Sequence, residues 1–308
     1  MRDLIYLSLQ YIRHHRIKLM VLTLAITLVV WLPLAIQSVV DQTAEQLLVR
    51  AERTPLVVGA PGSPLELSLG SLYFKSRTED TLPYRELTAL EETGLTRGIP
   101  LYYRFRVQEH PVVGTSPDYF AFRSLRLAEG RSFAILGEAV VGANVAGALG
   151  VNVGGPVISS PESVFDLAGV YPLKMPVVGV LAPSLGPDDD AVFVDLKTAW
   201  VIQGLGHGHQ DLNRQEAVGQ ILRREGDNIV ANASVRQFNE ITADNLHSFH
   251  FHGDNSANPI SAIIPLPRDE KSAALLLGQY QEERTGVQIV RSRRVIAELL
   301  DTVFTVRN

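Results

Sequence analysis

The stretch LMVLTLAITLVVWLPLAIQSVV, Leu19 to Val40, contains no charged side chain. It follows a basic cluster of Arg13, His14, His15, Arg16 and Lys18, and Asp41 is the first charge beyond it. As a helix it would rise about 33 Å, enough to cross a hydrocarbon core of about 30 Å, whereas the apolar core of a secretory signal runs to about 7–15 residues. No clean small-x-small cleavage site follows. The sequence therefore predicts a membrane-spanning helix over 19–40. Arg2, Arg13, Arg16 and Lys18 are opposed on the near side only by Asp3. That asymmetry places the N-terminus in the cytoplasm and everything after Asp41 outside it.

Outward from this span the pattern changes on both sides. Over residues 1–18, Leu4, Ile5, Leu7, Tyr11 and Ile12 recur at helical spacing while Arg2, Gln10, Arg13 and His14 stay polar. This predicts an amphipathic helix lying on the cytoplasmic membrane face. Over 41–54, Asp41, Glu45, Arg50 and Glu52 mix with Ala44, Leu47 and Leu48, so the helix should continue as a stalk and stop before Pro55.

The residues beyond the anchor suffice for one large or two small domains. Outside the first eighteen residues, 24 Lys and Arg stand against 32 Asp and Glu. This acidic balance offers no basic stripe for nucleic acid. The chain has no cysteine, which excludes disulfides, thiolate metal sites and cysteine nucleophiles together.

Short β-rich runs alternate with helical ones. Leu56–Gly59 reads as a strand, Tyr84–Thr93 as a helix and Leu101–Val107 as a strand, making a β-α-β unit. Ile260–Leu266, Asp269–Arg284 and Val287–Val290 make a second one. Between them Val112–Gly114, Ala139–Gly142, Pro176–Leu181 and Ala191–Val194 are punctuated by Gly and Pro, as in a compact β-rich insertion. The expected class is α+β: an N-terminal transmembrane helix followed by a split β-α-β layer (55–108 and 258–292) and an inserted β-rich subdomain (109–257). Residues 293–308 would then form a stalk toward a second span beyond Asn308.

Several segments carry a family resemblance. The run Leu7-Ser8-Leu9-Gln10-Tyr11-Ile12-Arg13-His14-His15-Arg16 precedes the span. Then come Val113-Gly114-Thr115-Ser116-Pro117-Asp118-Tyr119-Phe120, Leu127-Ala128-Glu129-Gly130-Arg131, Gly137-Glu138-Ala139-Val140-Val141-Gly142 and Val177-Val178-Gly179-Val180-Leu181. In this order they resemble MacB-type and FtsX-like ABC transporter permeases, relatives of the lipoprotein-releasing permeases. The resemblance covers most of residues 1–300. It implies a non-catalytic permease subunit of mechanotransmission type in a bacterial inner membrane, with its main, porter-like domain periplasmic. It further implies a partner ATP-binding subunit that hydrolyses ATP, a second permease copy in a dimer, and a periplasmic adaptor or binding protein. A single-span periplasmic metal-binding or adaptor protein is the alternative.

The residues themselves point away from catalysis. There is no Gly-x-x-x-x-Gly-Lys-Ser/Thr phosphate loop, so ATP would be bound on another protein. The glycines from Gly137 to Gly155 read as turns. Ser159, Ser160 and Ser184 lie in no Gly-x-Ser-x-Gly elbow. Asp188-Asp189-Asp190 lacks the spaced oxygen ligands of a calcium loop and reads as a solvated turn.

Histidine is the exception. Five of the six histidines beyond the span fall in two segments, His207-Gly208-His209 and His247-Ser248-Phe249-His250-Phe251-His252, with Asp211 and Asp254 close behind. Neutral imidazole suits zinc, copper or nickel. His207, His209, His247, His250 and His252 are therefore the candidate metal ligands, with zinc the expected ion and no other directly bound cofactor, provided the fold brings the two segments together.

The charge asymmetry around 19–40 generates a topological prediction. Protease added to spheroplasts should digest residues 50–308 and spare the N-terminal segment; a protected domain would reverse the orientation.

Overall fold

The computed structural model describes residues 6, 10–75, 80–160, 172–208, 221–225, 228–231, 239–251, 253–282 and 286–305. The chain divides into two units, Met1–Arg53 with Ile296–Asn308, and Thr54–Val295.

The first unit is dominated by α1, Arg16–Glu52, an unbroken helix of 37 residues. At about 1.5 Å per residue it is about 55 Å long. Its apolar stretch is uncovered: Met20, Leu24, Val29, Trp31 and Leu34 are exposed. Exposed apolar side chains around a whole helix fit a lipid environment. The helix runs on through Val40 and ends at Glu52, before Pro55, where the Arg53 N–H bonds back to Val49.

The second unit opens with β1 (Leu56–Gly59), α2 (Pro64–Tyr73), β2 (Leu82–Pro83), α3 (Arg85–Glu92) and β3 (Thr96–Tyr102). There follow β4 (Arg106–Val107), β5 (His110–Thr115), α4 (Asp118–Arg123), β6 (Leu127–Gly130), β7 (Ala139–Val141), α5 (Ala143–Leu149), β8 (Pro156–Ile158), β9 (Leu173–Leu181), β10 (Val192–Asp195) and α6 (Leu196–Ile202). Next are β11 (Gly206–Gly208), β12 (Ile221–Glu225), β13 (Asn228–Ala231), β14 (Asn239–Glu240) and β15 (Phe249–Phe251). The chain closes with β16 (Pro259–Ile260), β17 (Ala262–Pro267), α7 (Glu270–Glu282), β18 (Gln288–Arg291) and α8 (Ser292–Thr305). The unit boundary at Val295 falls inside α8.

One mixed sheet runs through the second unit in the order β14-β9-β7-β10-β5-β3-β17-β1-β18, with β4 beside β5 and with β6 and β8 beside β9. Both β-α-β units are split. β17 lies antiparallel between β1 and β3, and β1 lies antiparallel between β17 and β18. Each unit therefore supplies the strand that fills the other's gap, the arrangement of a split β-α-β layer. The segment between β3 and β17 builds the other half of the sheet, which adds the parallel pairs β5/β10, β7/β9 and β9/β14.

Strand alternation divides the core. Val112, Val141, Val192, Val194 and Ile263 join one apolar cluster with Trp200, Leu276 and Tyr280. Their immediate neighbours Val113, Val140, Phe193 and Ile264 join another with Phe74, Tyr119 and Phe133. Because successive residues point to opposite faces, the central strands are buried on both sides. On the second face Phe193 is ringed by Phe74, Tyr119 and Phe120 at centroid distances of 6.2, 5.5 and 5.4 Å.

One expectation needs correction. The strand expected over Leu101–Val107 is two strands, β3 and β4, with a break at Tyr103–Phe105, after which β4 folds back onto β5. The middle segment is β-rich as expected, with β5 to β15 in it, and it also carries the short helices α4, α5 and α6.

Gly142, between β7 and α5, is fixed by packing. A Cβ there would fall within the backbone carbonyls of Asp188 and Asp189, while its N–H bonds to the Ala191 carbonyl at 2.9 Å. Gly142→Ala should lower stability by about 1–3 kcal/mol, as other overpacking changes do. Gly147→Ala, within α5 and with nothing in the way of a Cβ, should leave the thermal midpoint unchanged or raise it. Thermal unfolding of the purified chain distinguishes the two.

Candidate functional site

The structure joins the two histidine-bearing segments. β11 and β15 form a two-stranded antiparallel ribbon in which His207 is registered opposite His250, Gly206 opposite Phe251 and Gly208 opposite Phe249. His247 sits exposed in the 3-10 turn Leu246–Ser248, which lies against β11. His209, His252 and Asp211 lie outside the described residues. Asp254 caps the short turn Asn255–Ala257, accepting from the Ser256 N–H at 2.8 Å and from its hydroxyl. Those bonds, the hydroxyl's first, hold the Asp254 carboxyl below the usual range.

The ribbon's orientation is set on its apolar face. Phe249 and Phe251 pack against the main core cluster, and the Phe251 ring meets Trp200 edge-on at 6.1 Å. A Cβ on Gly206 would lie 2.6 Å from that ring, so the glycine is what lets Phe251 lie across β11. His250, between the two phenylalanines, belongs by alternation to the opposite face. Its Nδ1 lies 3.0 Å from the Ser248 carbonyl oxygen. A carbonyl only accepts, so Nδ1 carries the proton and Nε2 the lone pair in the neutral ring.

The aspartate run differs from its reading as a solvated turn. Asp188 and Asp189 are only 2% and 3% exposed. Asp188 accepts from the Tyr119 hydroxyl at 2.6 Å. Asp189 accepts from the Ser184 N–H and hydroxyl and from the Leu185 N–H, at 2.8–3.0 Å. Asp190 accepts from the Asn144 side chain at 2.9 Å. These carboxylates are satisfied by donors from three parts of the chain, which is what permits the burial of Asp188 and Asp189. The Tyr119 hydroxyl also receives a bond from Arg123 Nε at 3.3 Å, and Arg123 Nη1 donates to Thr54 Oγ1 at 2.7 Å. A polar chain thus leads from Thr54, the first residue of this unit, to the loop at Ser184. The other serines singled out are structural too: Ser159 Oγ accepts from Leu173 N–H and Ser160 Oγ from Gln108 N–H.

The segments that carry the family resemblance are occupied with architecture. Gly130, at φ 75°, would place a Cβ against the Val178 carbonyl, and Arg131 N–H bonds to that carbonyl at 2.9 Å. Gly137, at φ 90°, backs onto Ile241 and donates to Thr198 Oγ1 at 2.9 Å. Glu138, 7% exposed, forms a two-pronged ion pair with Arg131 and also accepts from the Ala134 and Ile135 N–H groups at 2.9 and 3.1 Å. The signature therefore encodes turns and close approaches of β6, β7 and β9.

An exposed apolar helix followed by this split, extended sheet defines a membrane-anchored α+β domain. A family model described as the MacB-like periplasmic core domain matches residues 19–236, and the chain belongs to that family, which is one of ABC transporter permease components, generally non-catalytic. Solved structures similar to it include the periplasmic region of MacB from Actinobacillus actinomycetemcomitans, at 12% identity and TM-score 0.44, covering 79% of this chain and 91% of that one. Another is the extracellular domain of the noncanonic ABC-type transporter YknZ from Gram-positive bacteria, at 12% identity and TM-score 0.40, covering 76% and 98%. No curated protein sequence matches.

The Arg131–Glu138 clamp generates a pH prediction. The guanidinium's hydrogen bonds hold the Glu138 carboxyl below its ordinary value of 4.5, with the two backbone N–H groups assisting and burial opposing. Since the folded-state value is the lower one, the stabilisation is complete above about pH 4.5 and is lost as pH falls through the depressed value. Glu138→Gln should destabilise the chain at pH 7 by about 1–3 kcal/mol. In urea melts its deficit against wild type should shrink as pH falls through the depressed value, below which the wild-type carboxyl is itself neutral.

Proposed function

We propose that this chain is a permease subunit of an ABC transporter of the mechanotransmission type, coupling ATP hydrolysis on a partner subunit to the handling or efflux of a substrate on the far side of the membrane. The observation that carries the reading is the family match over residues 19–236, which begins at the first residue of the apolar stretch and includes β1 to β13. It is supported by the continuity of α1. A long helix is stiff along its axis even with Pro33 inside it donating no backbone hydrogen bond, so one that extends past its apolar stretch for a further twelve residues suits the transfer of displacement from one membrane face to the other. The basic residues before Leu19 support a cytoplasmic N-terminus and an extracytoplasmic sheet domain. In a bacterial inner membrane that compartment is the periplasm.

Division of labour follows from the sequence. These residues carry no phosphate loop, so the nucleotide site belongs to an ABC ATP-binding subunit. A second permease copy would complete a symmetric pair, the commonest arrangement for such assemblies, with a periplasmic adaptor or binding protein as a further partner. The split sheet would act as the moving part.

The test is reconstitution. The purified chain alone should show no ATP turnover, and turnover should appear when a separate ATP-binding subunit from the same organism is added. Turnover by this chain alone, surviving stringent purification and insensitive to mutation of any ATP-binding subunit present, would overturn the proposal.

A further inference from the structure

Two polar groups at the middle of the apolar stretch of α1 have nothing in their own helix to bond. Pro33 lies inside the helix and has no N–H, so the Val29 carbonyl loses the donor that would close its helical bond. The side chains that follow over that carbonyl, Leu32, Pro33 and Ile36, carry no donor either. Two residues beyond Val29, Trp31 is 59% exposed, and its indole N–H meets no acceptor among the described residues. Tryptophan ordinarily sits where membrane meets water, with its N–H wet. Val29 and Trp31 stand instead about 15 Å from the ends of the stretch. No water reaches that depth, so an unmet donor or acceptor there is strongly unfavourable.

Positions two apart on a helix leave its axis about 200° apart, so this donor and this acceptor flank a single face and cannot meet within one chain. On the face between them Val21, Ala25, Leu28, Leu32, Ala35 and Val39 recur at alternate spacings of four and three, the seam of a helix pair, and the two alanines allow close approach. A two-fold axis along the membrane normal brings the left flank of one helix alongside the right flank of the other. The carbonyl points toward the C-terminus and the indole leans back toward the N-terminus, which brings the two groups to one depth. We infer that α1 pairs along this face with α1 of a second copy of this chain, and that the Trp31 indole N–H of each copy donates to the partner's Val29 carbonyl. The pairing rests on the permease reading, which supplies the second copy and its parallel insertion. Self-complementarity selects the occupant: each helix carries the donor and the acceptor once, so two-fold pairing satisfies all four groups, whereas lipid tails satisfy none.

The test is self-association of the whole chain in phosphatidylcholine bilayers, read by Förster transfer between copies labelled at a single Glu92→Cys, since the chain has no cysteine of its own. Glu92 is exposed at the end of α3. Wild type should pair. Trp31→Phe keeps a ring and removes the donor, while Pro33→Ala returns an N–H to the helix and satisfies Val29 internally. Each should weaken pairing about fivefold or more, as both symmetric bonds are lost. The double variant should be no weaker than either single one, because both substitutions remove the same bonds. Alanine in place of proline favours the helix, so weaker pairing in Pro33→Ala is not a failure to fold. A monomeric wild type, pairing kept within about twofold in both single variants, or losses that add in the double variant would overturn the inference. The permease reading is decided separately, by ATP turnover with the partner subunit.

Discussion

The second unit depends on one pairing, the insertion of β17 between β1 and β3. Ala262–Pro267 runs antiparallel to Thr96–Leu101 along six residues and also bonds Val58 and Gly59. Without it β1 loses its link to the rest of the sheet, and the first β-α-β unit becomes two strands with an unfilled gap between them. Burial drives the insertion. Ile263 and Ile264 point into opposite core clusters, so a single strand seals both faces of the sheet at its centre. Fully burying such a side chain is worth roughly 1.5–3 kcal/mol, and its ladder neighbours are equally apolar.

A second tier of constraint is polar. Asp188 and Asp189, Glu138 with Arg131, and Tyr119 with Arg123 and Thr54 fasten loops that the strands alone would leave loose. Their geometry explains what the short glycine-containing segments do in this fold. Gly130 and Gly179 let β6 approach β9, Gly137 lets the β7 turn close on Ile241, and Gly142 lies against the carbonyls of the buried aspartates. These are requirements on backbone shape, and they hold whatever substrate the transporter handles.

Much of this was legible in the sequence, for identifiable reasons. The span, β1, α3, β17, α7 and β18 announce themselves by uninterrupted apolar runs or helical periodicity bounded by Pro and Gly. Helix α2 was missed although a signal existed: Ser63 caps it by accepting from the Glu66 N–H, and Pro64 occupies its first turn, a recognisable helix start. The burial of Asp188 and Asp189 had no local signal. Asp188 finds its donor on Tyr119, 69 residues away, and a charge run judged by itself reads as solvated. Nor could spacing reveal that His207 and His250 are registered opposite each other in one ribbon, although the alternation of Gly with His in one segment and of Phe with His in the other was in plain view.

The place of β1 in the sheet bears on how the chain matures. Its ladder partners, β17 and β18, are encoded some two hundred residues later. At about 5–20 residues per second of synthesis, β1 waits roughly ten to forty seconds with its backbone groups unpaired, while α1 is already available to the membrane. An apolar strand left open for so long is a template for the wrong neighbour, including another nascent chain. Maturation is thus a matter of timing, with the earliest strand of the domain among the last to be enclosed and a period of exposure that is lengthened by anything slowing delivery of β17 and β18.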